Sequence, residues 1–356
     1  MTSLRWLVAI LFVSLIGLPA RDASAQIKVT TGEFVNFRFG FLGQFQAEAL
    51  SIPDSNRQTS NIFIRRIRLM MDGQITQKVS FFFETDAPNL GKTINGVKNL
   101  PGTMIVQDAY VTFKALSAFS LDAGLMFVPT SRNSLESAAT LLPIDYGPYT
   151  FTSSGPTQSS TGRDTGVQAR GYLFGNRLEY RGGTFQGMRD ATSSNDMRWA
   201  GRVQYNVFEP ETGFFYPGTY FGKAKHLAFG GGYDVQSHYH SYAADAFLDL
   251  PLGPGGLTAQ FDYSFLDGAS TLPSIARQHN YLVEAGYLIR SLKLTPVFQF
   301  NHRDFTTGVD QRQWSVGANW YWSDHNANVK AAYSRIETKG AAGQHQFVVQ
   351  FQVFYF

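Results

Sequence analysis

The sequence predicts an all-β protein, a closed antiparallel transmembrane β-barrel of about sixteen strands. Apolar and polar residues alternate with a period of two along successive segments; in Glu33–Ala47, Phe37 and Phe39 alternate with Asn36 and Arg38. The polar face of these segments carries charged residues, which are rarely buried without partners, so it must face water. After the first 25 residues no run approaches the ~18 apolar residues of a membrane-spanning helix. Any membrane span must therefore consist of strands.

The composition agrees with this fold class. Aromatic residues make up 15% of the chain and charged residues only 16%, and 34 glycines are present, as expected of aromatic-girdled strands joined by tight turns. The chain has no cysteine, which excludes disulfides and thiolate chemistry. Its net charge of +3 is too small to indicate nucleic acid as a partner.

The N-terminus has the features of a secretory signal sequence, Met1–Ala25. Arg5 precedes the apolar run Trp6–Leu18, Pro19 interrupts it, and Ala23-Ser24-Ala25 forms a cleavage site of the small-x-small type. We expect cleavage near residue 26, export to a Gram-negative type of outer membrane, and a single barrel domain over residues 26–356.

The stretch Asn61–Asp86 predicts two strands joined by a tight turn at Asp72-Gly73. The predicted lipid-facing residues of this hairpin are Phe63, Ile67, Leu69, Met71, Val79, Phe81 and Phe83. Arg65 and Arg66 are neighbours, and neighbours on a strand point to opposite faces. One of them must therefore lie at a bulge, at the barrel rim or in a subunit contact.

The same alternation continues to the end of the chain and gives an even strand count, which leaves both termini on the periplasmic side. In the last strand Phe356 has the wrong parity, which predicts either a bulge near Phe354 or Tyr355 as the last outward residue. The further predicted strands are Thr103–Ala115, Phe119–Val128, Arg163–Phe174, Arg177–Gln186, Asp196–Glu209, Leu227–Gln236, Ser241–Leu250, Leu257–Asp267, Asn280–Ile289, Leu292–Arg303, Gln313–Trp322, Asn328–Glu337 and His345–Phe356.

The longest connection, Pro129–Gly162, follows an early strand and has a helix-compatible piece at Asn133–Leu142. A connection of this length without regular structure is usually functional. We expect it to fold into the lumen as a long third loop; the alternative is a surface loop outside the barrel.

Charged residues of inward parity define the candidate pore lining. On the first eight strands basic residues outnumber the nearby acidic ones, and the basic candidates are Arg38, Arg66, Arg68, Lys78, Arg170, Arg177, Arg181, Arg198 and Arg202. Later strands contribute an acidic set expected to face them across the ring: Asp245, Asp249, Asp262 and Glu284. The arginines are expected to give a net positive wall; the alternative is a structural network in which each is paired with a carboxylate.

Five segments resemble the phosphate-selective porin O and P family: Phe41–Gln46, Ile64–Gly73, Leu121–Pro129, Gly162–Val167 and Gly213–Gly222. The resemblance implies a sixteen-stranded, trimeric outer-membrane porin in which inward basic side chains hold an anion, with Arg66, Arg68 and Arg170 as candidates by motif position. The chain departs from the family at Leu125 and at Pro129-Thr130-Ser131, where the family commonly has a glutamine and then Pro-Phe-Gly. The resemblance therefore transfers the family and not a particular solute.

The expected function is passive diffusion of small hydrophilic solutes through the outer membrane, with a modest preference for anions such as phosphate and with no cofactor or covalent step. The alternatives are a non-selective porin, a plugged structural barrel and an outer-membrane hydrolase. His238 and His240 share a face but lack a third metal ligand, and the other histidines lack a catalytic spacing. A homotrimer is expected to pack through small outward residues: Ala109, Ala123, Ala169, Gly171 and Gly201.

Overall fold

A computed structural model describes residues 28–31, 35–94, 96–100, 103–190 and 196–356, so the predicted signal sequence lies outside the described residues. Sixteen antiparallel strands form one sheet. They are β1 (Val35–Ser51), β2 (Gln58–Gln74), β3 (Val79–Asp86), β4 (Ile105–Leu116), β5 (Phe119–Phe127), β6 (Arg163–Leu173), β7 (Leu178–Phe185), β8 (Arg198–Asn206), β9 (His226–Gln236), β10 (Tyr239–Leu252), β11 (Gly255–Asp267), β12 (Gln278–Leu288), β13 (Leu294–Phe305), β14 (Gln311–Ser323), β15 (Ala327–Thr338) and β16 (Gln344–Tyr355).

The sheet closes on itself because β1 pairs with β16, from Phe41 opposite Tyr355 to Leu50 opposite Gln346. Closure removes the edges that would expose unpaired backbone groups to lipid. The predicted sixteen-stranded closed barrel is confirmed. A short strand, Lys28–Thr31, pairs with the start of β1, and a small hairpin of Thr93–Ile94 and Val97–Lys98 lies in the connection after β3. No helix in the described ranges is long and apolar enough to cross a membrane.

The connections divide between two rims. The loop rim holds 52–57, 87–104, 128–162, 186–197, 237–238, 268–277, 306–310 and 339–343, and the turn rim holds 75–78, 117–118, 174–177, 207–225, 253–254, 289–293 and 324–326. Both ends of the strand sequence lie at the turn rim, the rim that is expected to be periplasmic because its connections are mostly short. The exception at this rim is 207–225, which is far longer than its neighbours.

The opening hairpin differs from its prediction in two ways. Strand β2 continues to Gln74, so the turn lies at 75–78 and not at Asp72-Gly73. A bulge at Arg65 breaks the register between β1 and β2, which confirms the bulge as one of the predicted explanations for the adjacent arginines. The bulge also reverses the parity before it, so Phe63 is buried under the Lys92 ammonium, 4.7 Å from the ring centre, and does not face lipid.

The C-terminal strand contains no bulge, because its pairing with both neighbours is continuous. Phe356 instead continues the inward parity of Phe354, and both rings pack against the same interior apolar cluster. The Phe356 ring centre lies 5.9 Å from that of Phe82 and 4.3 Å from the Arg38 guanidinium carbon. Phe356 therefore packs inside the barrel, at the turn-rim end of β16.

Candidate channel constriction

The connection 128–162, here called the constriction loop, is hydrogen-bonded to inward side chains of the wall. Five donors, one from each of five neighbouring strands, bind successive loop carbonyl oxygens. The bonds run from Gln44 to Ala138 (3.0 Å), Gln352 to Ala139 (2.8 Å), Asn319 to Leu142 (2.7 Å), Lys330 to Leu141 and to Pro143 (2.9 Å to Pro143), and Gln299 to Asp145 (3.2 Å). Because an irregular buried backbone needs partners for its carbonyls, these side chains fix the path of the loop.

The loop begins with a one-turn helix, Arg132–Leu135, capped by Ser131. The Arg132 guanidinium donates to both carboxylate oxygens of Glu211, at 2.7 and 2.8 Å. The backbone nitrogens of Arg132 and Asn133 donate to Asp245 (3.1 Å) and Asp262 (3.0 Å). Two of the predicted pore-lining carboxylates therefore anchor the start of the loop.

Residues 207–225, here called the inner segment, enter the barrel from the turn rim and meet the constriction loop. Tyr216 pairs with it through backbone bonds of 3.0 Å to Leu135 and from Ser137. Phe215 packs its ring 5.4 Å from Phe82 and 5.6 Å from Phe127. The sequence predicted no inward position for this connection. Two features of the sequence could have indicated it: residues 207–225 are rich in aromatic residues, and this connection is long although the other connections at the turn rim are short.

Asp249, another predicted pore-lining carboxylate, holds the inner segment. Its two carboxylate oxygens accept from the backbone nitrogens of Tyr220 (2.9 Å) and Gly222 (2.7 Å). Glu284, the fourth acidic candidate, accepts from Gln299 at 2.9 Å, and Gln299 also donates to the constriction loop. All four acidic candidates thus belong to the network that holds the two inward segments.

Seven of the nine predicted basic residues lie on the inner wall, each with a carboxylate partner. The pairs are Arg38–Asp72, Arg66–Asp145 (2.6 Å), Arg68 with Glu84 and Asp86 (2.9 Å each), Arg170–Asp122 (2.7 Å), Arg181–Glu179 (2.7 Å), Arg198–Asp234 (2.6 Å) and Arg202–Asp245. These ion pairs support the alternative of a paired network, and the net positive wall stays a prediction. Whether these residues contact solutes stays a prediction.

Lys78 and Arg177 are not on the wall. Lys78 is exposed in the turn 75–78, because β2 extends further than predicted. Arg177 is exposed in the turn 174–177, because β7 begins at Leu178, and its guanidinium donates to the Val207 carbonyl oxygen. Both residues lie at the turn rim.

The acidic strands do not simply face the arginines across the ring. Asp245 on β10 is paired laterally with Arg202 on β8, across the intervening strand β9. Gly230 of β9 leaves room for this contact, since a Cβ there would lie 2.2 Å from Arg202 Nη2 and 2.5 Å from Asp245 Oδ1. Two strand spacings are about 10 Å, which an arginine and an aspartate can bridge only over a residue without a side chain.

Two carboxyl groups of the constriction loop have opposite electrostatic environments. Burial alone would raise the pKa of Asp145, but the guanidiniums of Arg65 and Arg66 outweigh it and hold that pKa below its usual range. Burial, aided by the nearby charge of Glu284, raises the pKa of Glu136 well above its ordinary value. Asp145 therefore remains ionised between two arginines, and Glu136 favours its neutral form.

The interior is narrow where the two inward segments meet the wall. Inward side chains around the ring are almost wholly buried at this level, with exposures of 1% for Gln44, 5% for Gln299 and 0% for Gln350. Small cavities remain between loop and wall, one of about 50 Å³ beside Asn280 and one of about 20 Å³ beside Pro143. The two inward segments and the wall therefore leave little open space at this level.

His238 and His240, the histidines that share a face in the sequence, have no third metal ligand beside them in the described residues. His238 lies in the connection between β9 and β10 and is exposed, and His240 follows at the start of β10. Throughout the part of the chain that the structure describes, no three His, Cys, Asp or Glu side chains are grouped so that they could hold a metal ion.

Comparison with known proteins identifies the family resemblance and the fold. The family model described as phosphate-selective porin O and P matches residues 39–213, which confirms the resemblance seen in the sequence. No curated protein matches the sequence significantly.

The fold is similar to several solved porins. The anion-selective porin from Comamonas acidovorans shares 11% identity at a TM-score of 0.62, with 90% of this chain and 100% of that one covered. OprB from Pseudomonas putida shares 8% at a TM-score of 0.64, with 90% and 94% covered. OmpT of Vibrio cholerae, described as an outer membrane protein in trimer form, shares 12% at 0.53, with 91% and 100% covered. At such identities the likeness concerns the fold alone.

Proposed function

We propose that this chain, whose residues 39–213 match the phosphate-selective porin O and P family, is an outer-membrane porin. It would serve as a passive diffusion channel for small hydrophilic solutes, with a modest preference for anions such as phosphate. The observation that carries the proposal is the closed sixteen-stranded barrel whose interior is lined by charged side chains. Barrels of this size enclose an aqueous lumen, whereas about eight strands are filled by side chains. Family and fold are those of a channel rather than of an enzyme.

The paired wall supports a modest preference and not a strong one. Guanidinium groups offer two parallel donors to phosphate or carboxylate oxygens, and the side chain of Arg170 is still 15% exposed beside Asp122. Each partner carboxylate offsets most of the field of its arginine. Inside a lumen narrower than the Debye length of ~8 Å, the remaining field is weakly screened and biases the passage of ions.

A closed or plugged barrel is the second candidate. The constriction loop and the inner segment meet in the interior, and inward side chains around the meeting point are buried. Such packing favours low conductance or a lumen that opens only when one segment moves.

We also propose a homotrimer in the outer membrane. The support is the resemblance to porins, of which OmpT of Vibrio cholerae is described in a trimer form. The exposed small and aliphatic residues on the outer faces of β4, β5 and β6 would allow close approach of a second barrel.

Conductance in planar bilayers tests the channel and its selectivity together. We expect discrete conductance steps and, in a potassium chloride gradient, a reversal potential of the sign that shows chloride passing more readily than potassium. Arg170→Gln should reduce this preference, because it removes a partly exposed cation. Arg277→Gln is the matched control, since Arg277 lies in the connection 268–277 with its side chain 59% exposed. Absence of conductance would favour the plugged barrel, and a cation preference would refute the anion proposal.

Arg198 and Arg202 are unsuitable for this test. Both are buried, and truncation would leave Asp234 and Asp245 as unpaired buried charges. Removing one partner of a buried pair costs about 3–5 kcal/mol, so a change in selectivity could not be separated from a loss of folding.

A further inference from the structure

Three inward side chains towards the loop rim have hydrogen-bonding groups that no described protein atom satisfies. Asn280 on β12 is directly opposite Arg303 on β13, and Asn301 is the previous inward residue on β13. Both polar atoms of the Asn280 amide, the amide nitrogen of Asn301 and Nε of Arg303 are buried without a partner. Asn280 is only 6% exposed and Asn301 only 1%. Buried donors in native proteins are nearly always satisfied, so this cluster calls for a ligand or ordered water.

The unsatisfied amides line a cavity of about 50 Å³ between the wall and the constriction loop. Asn280 and Asn301 form one side of it, and Tyr149 and Thr150 of the loop form another. A single water molecule needs roughly 10–15 Å³ of such space, so the cavity has room for a small group of several atoms. One oxyanion group of a passing solute has this size.

The charge beside the cavity is positive and uncompensated. Arg303 packs its guanidinium carbon 4.7 Å from the Tyr149 ring centre and 5.2 Å from that of Phe305, and it donates to Thr152 Oγ1 at 2.8 Å. Unlike the wall arginines described above, it forms no ion pair with any carboxylate in the described ranges. Its charge is therefore available to an anion.

Two carboxylates, Asp234 and Asp262, also line the cavity and must be considered. Asp234 is paired with Arg198 at 2.6 Å and accepts from the Tyr239 hydroxyl at 2.8 Å. Asp262 Oδ1 accepts from the Asn133 backbone nitrogen at 3.0 Å, and Asp262 Oδ2 accepts from Gln260 Nε2 at 2.8 Å. Both oxygens are thus directed to protein donors. The free groups left in the cavity are mainly donors.

We propose that Arg303, Asn280 and Asn301 form an oxyanion subsite that binds a phosphate or carboxylate group of a solute arriving from the loop rim. The guanidinium supplies the charge through Nε, and the two amide nitrogens supply neutral donors, with the unbonded Asn280 amide free to turn its nitrogen inward. The subsite lies on the loop-rim side of the constriction loop. Its role in transport rests on the proposed function of the protein as an anion channel.

Binding of inorganic phosphate to the full chain in detergent, followed by the line width of the phosphorus NMR signal, tests the subsite without requiring conductance. Arg303→Gln should weaken phosphate binding about tenfold or more, because it removes a charge-assisted hydrogen bond. Arg312→Gln is the matched control and should leave binding unchanged, since Arg312 lies near the loop rim with its side chain 61% exposed. Competition by acetate distinguishes a general oxyanion subsite from one that requires phosphate.

Asn280→Ala provides a second variant if Arg303→Gln fails to fold, and it should weaken phosphate binding about fivefold through loss of a neutral donor. If folded Arg303→Gln or folded Asn280→Ala binds phosphate as well as the wild type does, the proposed subsite is refuted and water alone fills the cavity. That result together with anion-selective conductance would leave the proposed function standing. Conversely, phosphate binding that depends on Arg303 in a protein without conductance would support the subsite and refute the channel.

Discussion

Lys330 is a buried residue on β15 whose side chain binds backbone carbonyls of the constriction loop. It is 1% exposed, and its ammonium donates to the carbonyl oxygens of Leu141 and Pro143. Lys330→Met should lower the free energy of unfolding by about 1–3 kcal/mol, because two buried carbonyls lose their donor. It should also speed proteolysis within 128–162. Thermal unfolding in detergent and limited proteolysis measure the two effects.

Lys339→Met is the matched control at the residue scale. The Lys339 side chain is 76% exposed and approaches Asp310 only to 3.5 Å. Surface substitutions of this kind usually change stability by less than about 0.5 kcal/mol. If both lysine variants behave alike, Lys330 does not hold the loop.

At the scale of elements, His325 links the turn 324–326 to the inner segment. Its Nε2 lies 3.1 Å from the Thr219 carbonyl oxygen, and its ring centre lies 4.4 Å from that of Phe221. Burial lowers the pKa of His325 from 6.5 to about 4. Because the folded pKa lies below the unfolded one, this contribution to stability is complete above about pH 6.5 and is lost as the pH falls towards 4.

Acidification should therefore loosen the inner segment before the barrel unfolds. We expect hydrogen exchange in 207–225 to accelerate as the pH falls from about 7 to about 4, once the intrinsic pH dependence of exchange is subtracted. His325→Gln should remove much of this acceleration. His240→Gln should retain it, because His240 lies at the loop-rim end of β10, away from the inner segment. An acceleration unchanged in His325→Gln would assign the effect to the carboxylates.

At the scale of the whole molecule, the proposed trimer would pack through the outer face of β4, β5 and β6. Ala123 is exposed there among Val111 (48%), Leu121 (39%) and Val167 (41%). Two of the small residues expected to contact a neighbour are covered by their own chain. A Cβ on Gly171 would lie 2.0 Å from the Ala118 carbonyl oxygen, and one on Gly201 would lie 2.8 Å from the Tyr233 ring.

Ala123→Trp should reduce the fraction of trimer measured by native mass spectrometry in mild detergent. Tryptophan is compatible with a membrane environment but prevents close approach of a second wall. Ala244→Trp, at an exposed outward position on β10, is the matched control and should leave the trimer intact. A wild type that stays monomeric at high protein concentration would refute trimer formation itself.

The strand count, the two faces of most strands and the family were accessible from the sequence. Lipid on one side and polar groups on the other impose a two-residue period that can be read locally, as in Phe37–Phe45 of β1, without knowledge of any partner. The bulge at Arg65 was also predictable in kind, because two adjacent arginines cannot share a face of a regular strand.

The partners of the charged residues, and the entry of the inner segment, were decided only by the tertiary structure. Arg66 meets Asp145 across 79 residues of sequence, and Lys330 meets Leu141 across 189. Such contacts depend on cross-strand register and on where long connections fold, and neither leaves a periodic pattern in the chain. Residues of inward parity were therefore predictable as a class, whereas their pairing, and with it the charge of the lumen, emerged only when distant segments were brought together.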